Sequence, residues 1–140
     1  MNGWPEKHVV TCFLERQGSI LLLRRSSKVG SFQGRWAGVS GYVENSPEAQ
    51  SLTEIREETG LGSDEVTLIR QGCLLAVDDD ETSTRWIIHP YLYHTQDTCV
   101  ITIDWEHDEY RWIEPRDMAN YDIVPKLEEA FHSVCGEDLA

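Results

Sequence analysis

The chain has 140 residues, 40% of them apolar and 26% charged. That is enough for one domain with its own core across 1–140, and too apolar for a disordered segment. Lys plus Arg number 12 against 25 Asp plus Glu, a formal net charge of −13. Such a chain is repelled by nucleic-acid backbones and anionic membranes, so neither is expected as a partner. An anionic substrate would need a bound cation or a local basic pocket.

In chain order, His8 to Glu15 alternates in the manner of a strand, Arg16-Gln17-Gly18 reads as a hairpin turn, and Ser19 to Arg25 is the return strand. Ser26 to Arg35 is a loop rich in Ser and Gly, and Trp36 to Val43 is predicted as one further strand. Ser46-Pro47 is a helix start, with Ser46 as N-cap and Pro47 at the first helical position. The helix is expected to run to about Thr59 and stop at Gly60. Val66 to Val77 reads as one or two strands, and Asp78 to Thr84 as an acidic loop. Arg85 to Thr95 is predicted as a strand that Pro90 assigns to an edge or a bulge. Cys99 to Ile103 and Tyr110 to Ile113 are short strand candidates. A closing helix over Ile123 to Val134, capped by Asp122, puts Leu127, Ala130, Phe131 and Val134 on one apolar face. The pattern is an α/β or α+β fold with a mixed sheet.

Cys12, Cys73, Cys99 and Cys135 form no C-x-x-C pair, and Cys12 and Cys99, in strand-like apolar runs, read as reduced core residues of a cytoplasmic protein. Polar Met1 to Lys7 and short apolar runs give no signal-peptide or transmembrane pattern.

The helix after Ser46 carries the main chemical signal. On a helical wheel Glu54, Glu57 and Glu58 share one face, while Ala49, Leu52, Ile55 and Thr59 gather on the other. Carboxylates spaced i,i+3 and i,i+4 repel, and the helix dipole disfavours negative charge in the last turn. A divalent cation held by the three would relieve both penalties, and hard oxygen ligands suit Mg²⁺ or Mn²⁺. Read alone, the same face is also that of an ordinary solvated acidic helix. From Arg16 to Val43 there is no Asp or Glu, only Arg16, Arg24, Arg25, Lys28 and Arg35. Arg25, Lys28 and Arg35 flank the loop and are the candidate substrate contacts. Trp36 and Trp112 are expected in the core; Trp86 and Trp105 are better placed to stack on a ligand. His107 reads as a surface residue.

The stretch Gly41-Tyr-Val-Glu-Asn-Ser-Pro-Glu-Ala-Gln-Ser-Leu-Thr-Glu-Ile-Arg-Glu-Glu-Thr-Gly-Leu61 resembles the Nudix box. Gly41, Glu54, Ile55, Glu57, Glu58, Gly60 and Leu61 match its positions. Trp36 to Gly41 upstream, and Tyr110 to Ile113 with Pro115 downstream, resemble the flanking segments. Two departures stand out. The loop before the helix is two residues short of the family spacing, and Thr53 and Asn45–Ser46 stand where the box has an Arg and a Glu. In the family that Arg and Glu brace loop against helix.

The resemblance implies a Nudix-type α/β/α sandwich and a metal-dependent hydrolase of diphosphate linkages. Glu54, Glu57, Glu58 and the backbone carbonyl of Ser40 are implied as ligands to Mg²⁺, with Mn²⁺ as a substitute, and the catalytic set as Glu57, Glu58 and Glu54. The general base is either a box Glu or an acid outside the box, and Glu106, in the run Asp104 to Glu109, is the outside candidate. The implied substrate is a small molecule, a nucleoside triphosphate, an ADP-ribose-like dinucleotide, a nucleotide sugar or a prenyl diphosphate. The family often forms dimers, so a homodimer is open. The alternatives are a Nudix-fold module that senses a nucleotide without cutting it, and a domain whose acidic face docks a basic protein.

Overall fold

The computed structural model describes residues 3–139, with side chains through Cys135. The long first strand, β1 (Glu6–Arg16), turns at Gln17 and Gly18 into β2 (Ser19–Arg25). Both turn residues have positive φ, 51° and 80°, as a tight two-residue hairpin requires, and Arg16 pairs with Ser19 across it.

After the loop, the expected single strand is two pieces, β3 (Trp36–Ala37) and β4 (Val39–Tyr42). β3 pairs with β2 and β4 with β1. The chain crosses from one partner to the other at Gly38, where a Cβ would stand 2.9 Å from the Cys12 carbonyl oxygen. The glycine is what permits that backbone approach.

Helix α1 (Pro47–Thr59) follows, then β5 (Val66–Gln71), β6 (Leu75–Asp79), β7 (Thr84–Thr95) and β8 (His107–Ile113). A short 3-10 helix (Pro115–Asn120) leads to α2 (Leu127–Leu139). The eight strands form one mixed sheet whose central pair, β1 and β7, is parallel.

β7 is central, which corrects the edge or bulge expected from Pro90. The far side of β7 is shared by β5, which pairs up to Tyr91, and β6, which pairs from Ile88 down. Pro90 sits at the changeover, where its missing N–H breaks no ladder and its carbonyl accepts from Gly72 N at 2.9 Å. The acidic loop is shorter than expected because Asp78, Asp79 and Thr84 belong to strands.

Cys99 to Ile103 is not a strand. It runs past the end of α1, with Ile101 buried and Thr102 N donating to Thr59 O at 2.8 Å. Nor does the last helix start at Ile123. Pro125 disfavours helical backbone at Val124, and Lys126 takes φ 69°. Asp122 therefore does not cap it; its carbonyl accepts from Trp36 N at 2.9 Å instead.

One face of the sheet packs Val10, Cys12, Leu14, Leu21, Leu23, Tyr91 and Tyr93 against Ile55 of α1. The other packs Phe13, Ile20, Leu22 and Leu92 against Leu127, Ala130, Phe131 and Val134 of α2. The result is an α/β/α sandwich, each face of the alternating strands buried by one helix. Cys12 and Cys135 are buried, Cys73 is exposed, and all four cysteines are free thiols. Among the described residues no helix is long and apolar enough to cross a membrane.

Candidate active site

The local rules that start and stop α1 set the position of its acids. Ser46 is extended and its Oγ accepts from Ala49 N at 3.2 Å, Pro47 opens the helix, and Gly60 at φ 79° ends it with its N–H on Arg56 O. Ser51, Ile55 and Thr59 lie buried against the sheet, and so does Glu58, at 2% exposure. Ala49, expected on the packed face, is exposed, and Ser51 takes that place, its hydroxyl against Tyr93 Oη at 2.5 Å.

The three box acids therefore differ. Glu58 points inward and Glu54 is half-buried beside it, the two carboxyls within hydrogen-bonding reach of each other. Glu57 is exposed to solvent. Among the described residues, no three His, Cys, Asp or Glu side chains stand together as a ready-made metal site.

β4 passes directly beneath this pair. Ser40 N donates to Glu58 Oε1 at 3.4 Å. Gly41 lies so close to Glu54 that a Cβ there would fall 2.2 Å from its Cδ and 2.3 Å from Oε1. The box glycine thus makes room for a carboxylate.

Glu106 is half-buried, and its charge reaches both Glu54 and Glu58; that of Asp104 reaches Glu58. Burial first, then the charges of Glu54, Glu106 and Asp104, pushes the Glu58 carboxyl well above the usual range. Burial also raises Glu54, opposed by its hydrogen bond to Gln50. Burial, followed by Glu58 and Glu54, raises the nearby Cys12 thiol too. Glu54 and Glu58 thus meet at one partly buried point, with the charges of Glu106 and Asp104 bearing on it. Hard oxygen donors, excess negative charge and a carboxylate cradled on a glycine are the donor chemistry that fits a divalent cation.

His107 is not the surface residue expected. It is 6% exposed, with Nδ1 2.8 Å from Asp104 Oδ1 and Nε2 3.6 Å from Glu58 Oε1. A bulge in β8 puts it there. Arg24 pairs with Glu109 but Arg25 with His107, so the register skips Asp108. Unskipped alternation would have placed His107 on the opposite face of the sheet, with Asp108 facing α1. Buried Ser26 holds the preceding loop: its N–H donates to Glu106 O at 2.8 Å and its Oγ to Trp105 O at 2.9 Å.

Gln50 was also silent in the sequence. It accepts from Glu44 N at 3.2 Å and donates to Glu54 Oε2 at 2.8 Å. Only its place four residues before Glu54 hinted at the second contact.

The basic residues are largely engaged elsewhere. Arg16 lies on the Trp112 ring at 3.9 Å and donates to the carbonyls of Gln96, Asp97 and Cys99. Arg24 pairs with Asp108 and Glu109. Arg25 donates to Ser31 O at 2.9 Å, Arg35 lies 3.7 Å from Asp122, and Lys28 is exposed. Trp36 is in the core on the α2 side of the sheet, and Trp112 is half-buried against the core on the α1 side. Trp105 is 63% exposed, and half-buried Trp86 lies 5.8 Å from the ring of exposed Tyr42.

A sandwich carrying glutamates on a helix that follows a glycine-containing strand is the arrangement that the resemblance to the Nudix box implies for a hydrolase of phosphorus anhydrides. The NUDIX domain model matches residues 5–134, and the chain belongs to that family. The nucleoside triphosphatase NudI of Klebsiella pneumoniae subsp. pneumoniae is 30% identical over 125 residues, covering 82% of this chain and 86% of that one. The NudI of Escherichia coli O139:H28 is 27% identical over 129 residues, covering 84% and 89%. The fold is similar to that of a MutT protein from Methanosarcina mazei Go1, with a TM-score of 0.75, 21% identity and 93% of each chain covered. It is also similar to an Ap4A hydrolase of C. elegans, with a TM-score of 0.72, 14% identity, and 92% and 93% covered. The protein is a hydrolase acting on diphosphate bonds, of a family that generally uses divalent cations.

Proposed function

We propose that this enzyme is a Mg²⁺-dependent pyrophosphohydrolase whose substrate is a nucleoside triphosphate. The carrying observation is the buried Glu58 beside Glu54, with the charges of Glu106 and Asp104 turned on it. The choice of triphosphate is supported by the nucleoside triphosphatase relative at 30% identity.

Glu54, Glu57, Glu58 and the Ser40 carbonyl would hold the cation, Glu57 joining by a side-chain rotation that its exposure leaves open. When bound, the ion neutralises charge on the diphosphate oxygens and lowers the pKa of water. Glu106 accepts a proton from the water whose oxygen attacks phosphorus. One P–O bond forms, the anhydride P–O bond breaks, and the other phosphate leaves with the electron pair. The burial of this corner strengthens every charge interaction in it. Exposed Lys28 draws the phosphates in against a chain otherwise strongly acidic, and Arg25 and Arg35 join it by exchanging their contacts with Ser31 and Asp122 for phosphate. Tyr42 and Trp86, with Lys7 Nζ 5.8 Å above the Trp86 ring, offer a face on which a base can stack. Four free thiols suit a cytoplasmic setting.

The test is phosphate or pyrophosphate release from a panel of nucleoside triphosphates, ADP-ribose and nucleotide sugars with Mg²⁺. The proposal expects the triphosphates to be cut fastest and Glu57→Gln to abolish turnover. Binding without turnover would replace it with a sensing module.

A further inference from the structure

The loop between β4 and α1 is short, running from Val43 to Ser46. The loop and the acid it must hold meet through one residue. Val43 N donates to His8 O at 2.9 Å, which ties the start of the loop to β1. The next amide, Glu44 N, reaches Gln50 Oε1 at 3.2 Å. Gln50 N in turn donates to Ser46 O at 2.9 Å, so its backbone belongs to the first turn of the helix. The other end of its amide, Nε2, donates to Glu54 Oε2 at 2.8 Å. One carboxamide therefore joins the loop backbone to the carboxylate that Gly41 cradles.

The chemistry of an amide suits that position. An Arg or Lys at 50 would pair with Glu54 as an ion and compete with a metal for it. Asp or Glu there would add to the repulsion already acting between Glu54 and Glu58. A neutral donor fixes the direction of the carboxylate while leaving its charge to be used. The acceptor end is not idle, because it satisfies a loop N–H that the helix cannot reach.

We infer that Gln50 is a positioning residue for Glu54: it locks the shortened loop to the helix and aims the Glu54 carboxylate toward a cation without neutralising it. The inference rests on the reading of Glu54 as a metal ligand. Support for a ligand by an outer hydrogen bond carries about 10- to 100-fold in metal affinity.

Calorimetric titration with Mn²⁺, together with melting and steady-state kinetics on the best triphosphate, tests it in two variants. Gln50→Met keeps the shape and removes both hydrogen bonds; Gln50→Lys supplies a competing cation. Both are expected to melt within a few degrees of wild type. Both should bind Mn²⁺ about tenfold or more weakly, and both should lose kcat with little change in KM. Retention of wild-type Mn²⁺ affinity and kcat in either variant overturns the inference. Wild-type protein that takes up no Mn²⁺ overturns the reading of the site itself, a result visible before any variant is made.

Discussion

Replacing Gly41 with alanine separates the chemistry of this protein from its fold. The backbone at Gly41 lies outside the positive-φ region, and the residue sits in the β1–β4 ladder opposite Val10. The main chain therefore accepts an L side chain. The new methyl, however, falls 2.2 Å from Glu54 Cδ, 2.3 Å from Oε1 and 2.6 Å from Cγ. Ordinary contact begins at 3.4 Å, so the carboxylate has to retreat by about one ångström, a misplacement that costs about 100-fold in rate at a catalytic centre. The obstacle is the far end of a flexible, half-buried side chain, so the fold yields cheaply. Alanine in a strand also recovers about 0.4–1 kcal/mol of chain entropy relative to glycine. Gly41→Ala is thus expected to melt within about 3 °C of wild type while kcat/KM with Mg²⁺ falls about 100-fold. Differential scanning calorimetry and a pyrophosphate-release assay on the same preparation measure both. A variant with wild-type kcat/KM would show that the close approach of Gly41 to Glu54 has no bearing on catalysis. A variant that fails to fold would show that the strand, not the carboxylate, needs the glycine.

Two further outcomes follow from charge and burial. The Glu58 carboxyl is held well above the usual carboxylate range, first by burial and then by Glu54, Glu106 and Asp104. A carboxyl raised in this way stabilises the fold below its unfolded pKa and loses that contribution as pH rises through the folded one. Above the ordinary carboxylate range that shift counts against the metal-free fold, so Glu58→Gln should raise the metal-free Tm at pH 7.5 by about 3 °C or more and abolish hydrolysis; an unchanged or lower Tm contradicts this. His89, buried and 2.8 Å from His8 through its Nε2, has a pKa lowered from 6.5 by burial and then by the charge of His8. The unfolded chain then binds the proton more readily, so acidification below about pH 6.5 destabilises wild type relative to His89→Gln. Denaturant midpoints of the pair from pH 7.5 to 5 should diverge, and a constant gap would remove His89 as the cause.

The bounds of α1, the hairpin and the box are legible because each depends on local chemistry: Ser46 as cap, Gly60 at positive φ, and a two-residue turn at Gln17 and Gly18. What escaped depends on partners distant in sequence. Pro90 signals an edge only if a single strand runs alongside it, and here two strands share that side and exchange at the proline. The helical wheel ranked Glu54, Glu57 and Glu58 alike, since it knows the angle of a residue and not the depth of the sheet beneath it. Glu58 is buried, and Glu57 is not. His107 was hidden by the bulge after Arg24, because a one-residue slip inverts which face each later side chain meets. The basic run from Arg16 to Arg35 reads as a phosphate funnel in sequence, yet Arg16 holds the loop after β7 and Arg24 pairs with the acids of β8.

The measurement that bears most directly on the acidic corner is a titration of Mn²⁺ followed by its electron paramagnetic signal, on wild type and on Glu54→Gln, Glu57→Gln and Glu58→Gln. Saturable uptake by wild type, weakened about tenfold or more in each variant, is the expected result. Equal uptake by all four proteins, or none by wild type, would contradict a cation held by these glutamates.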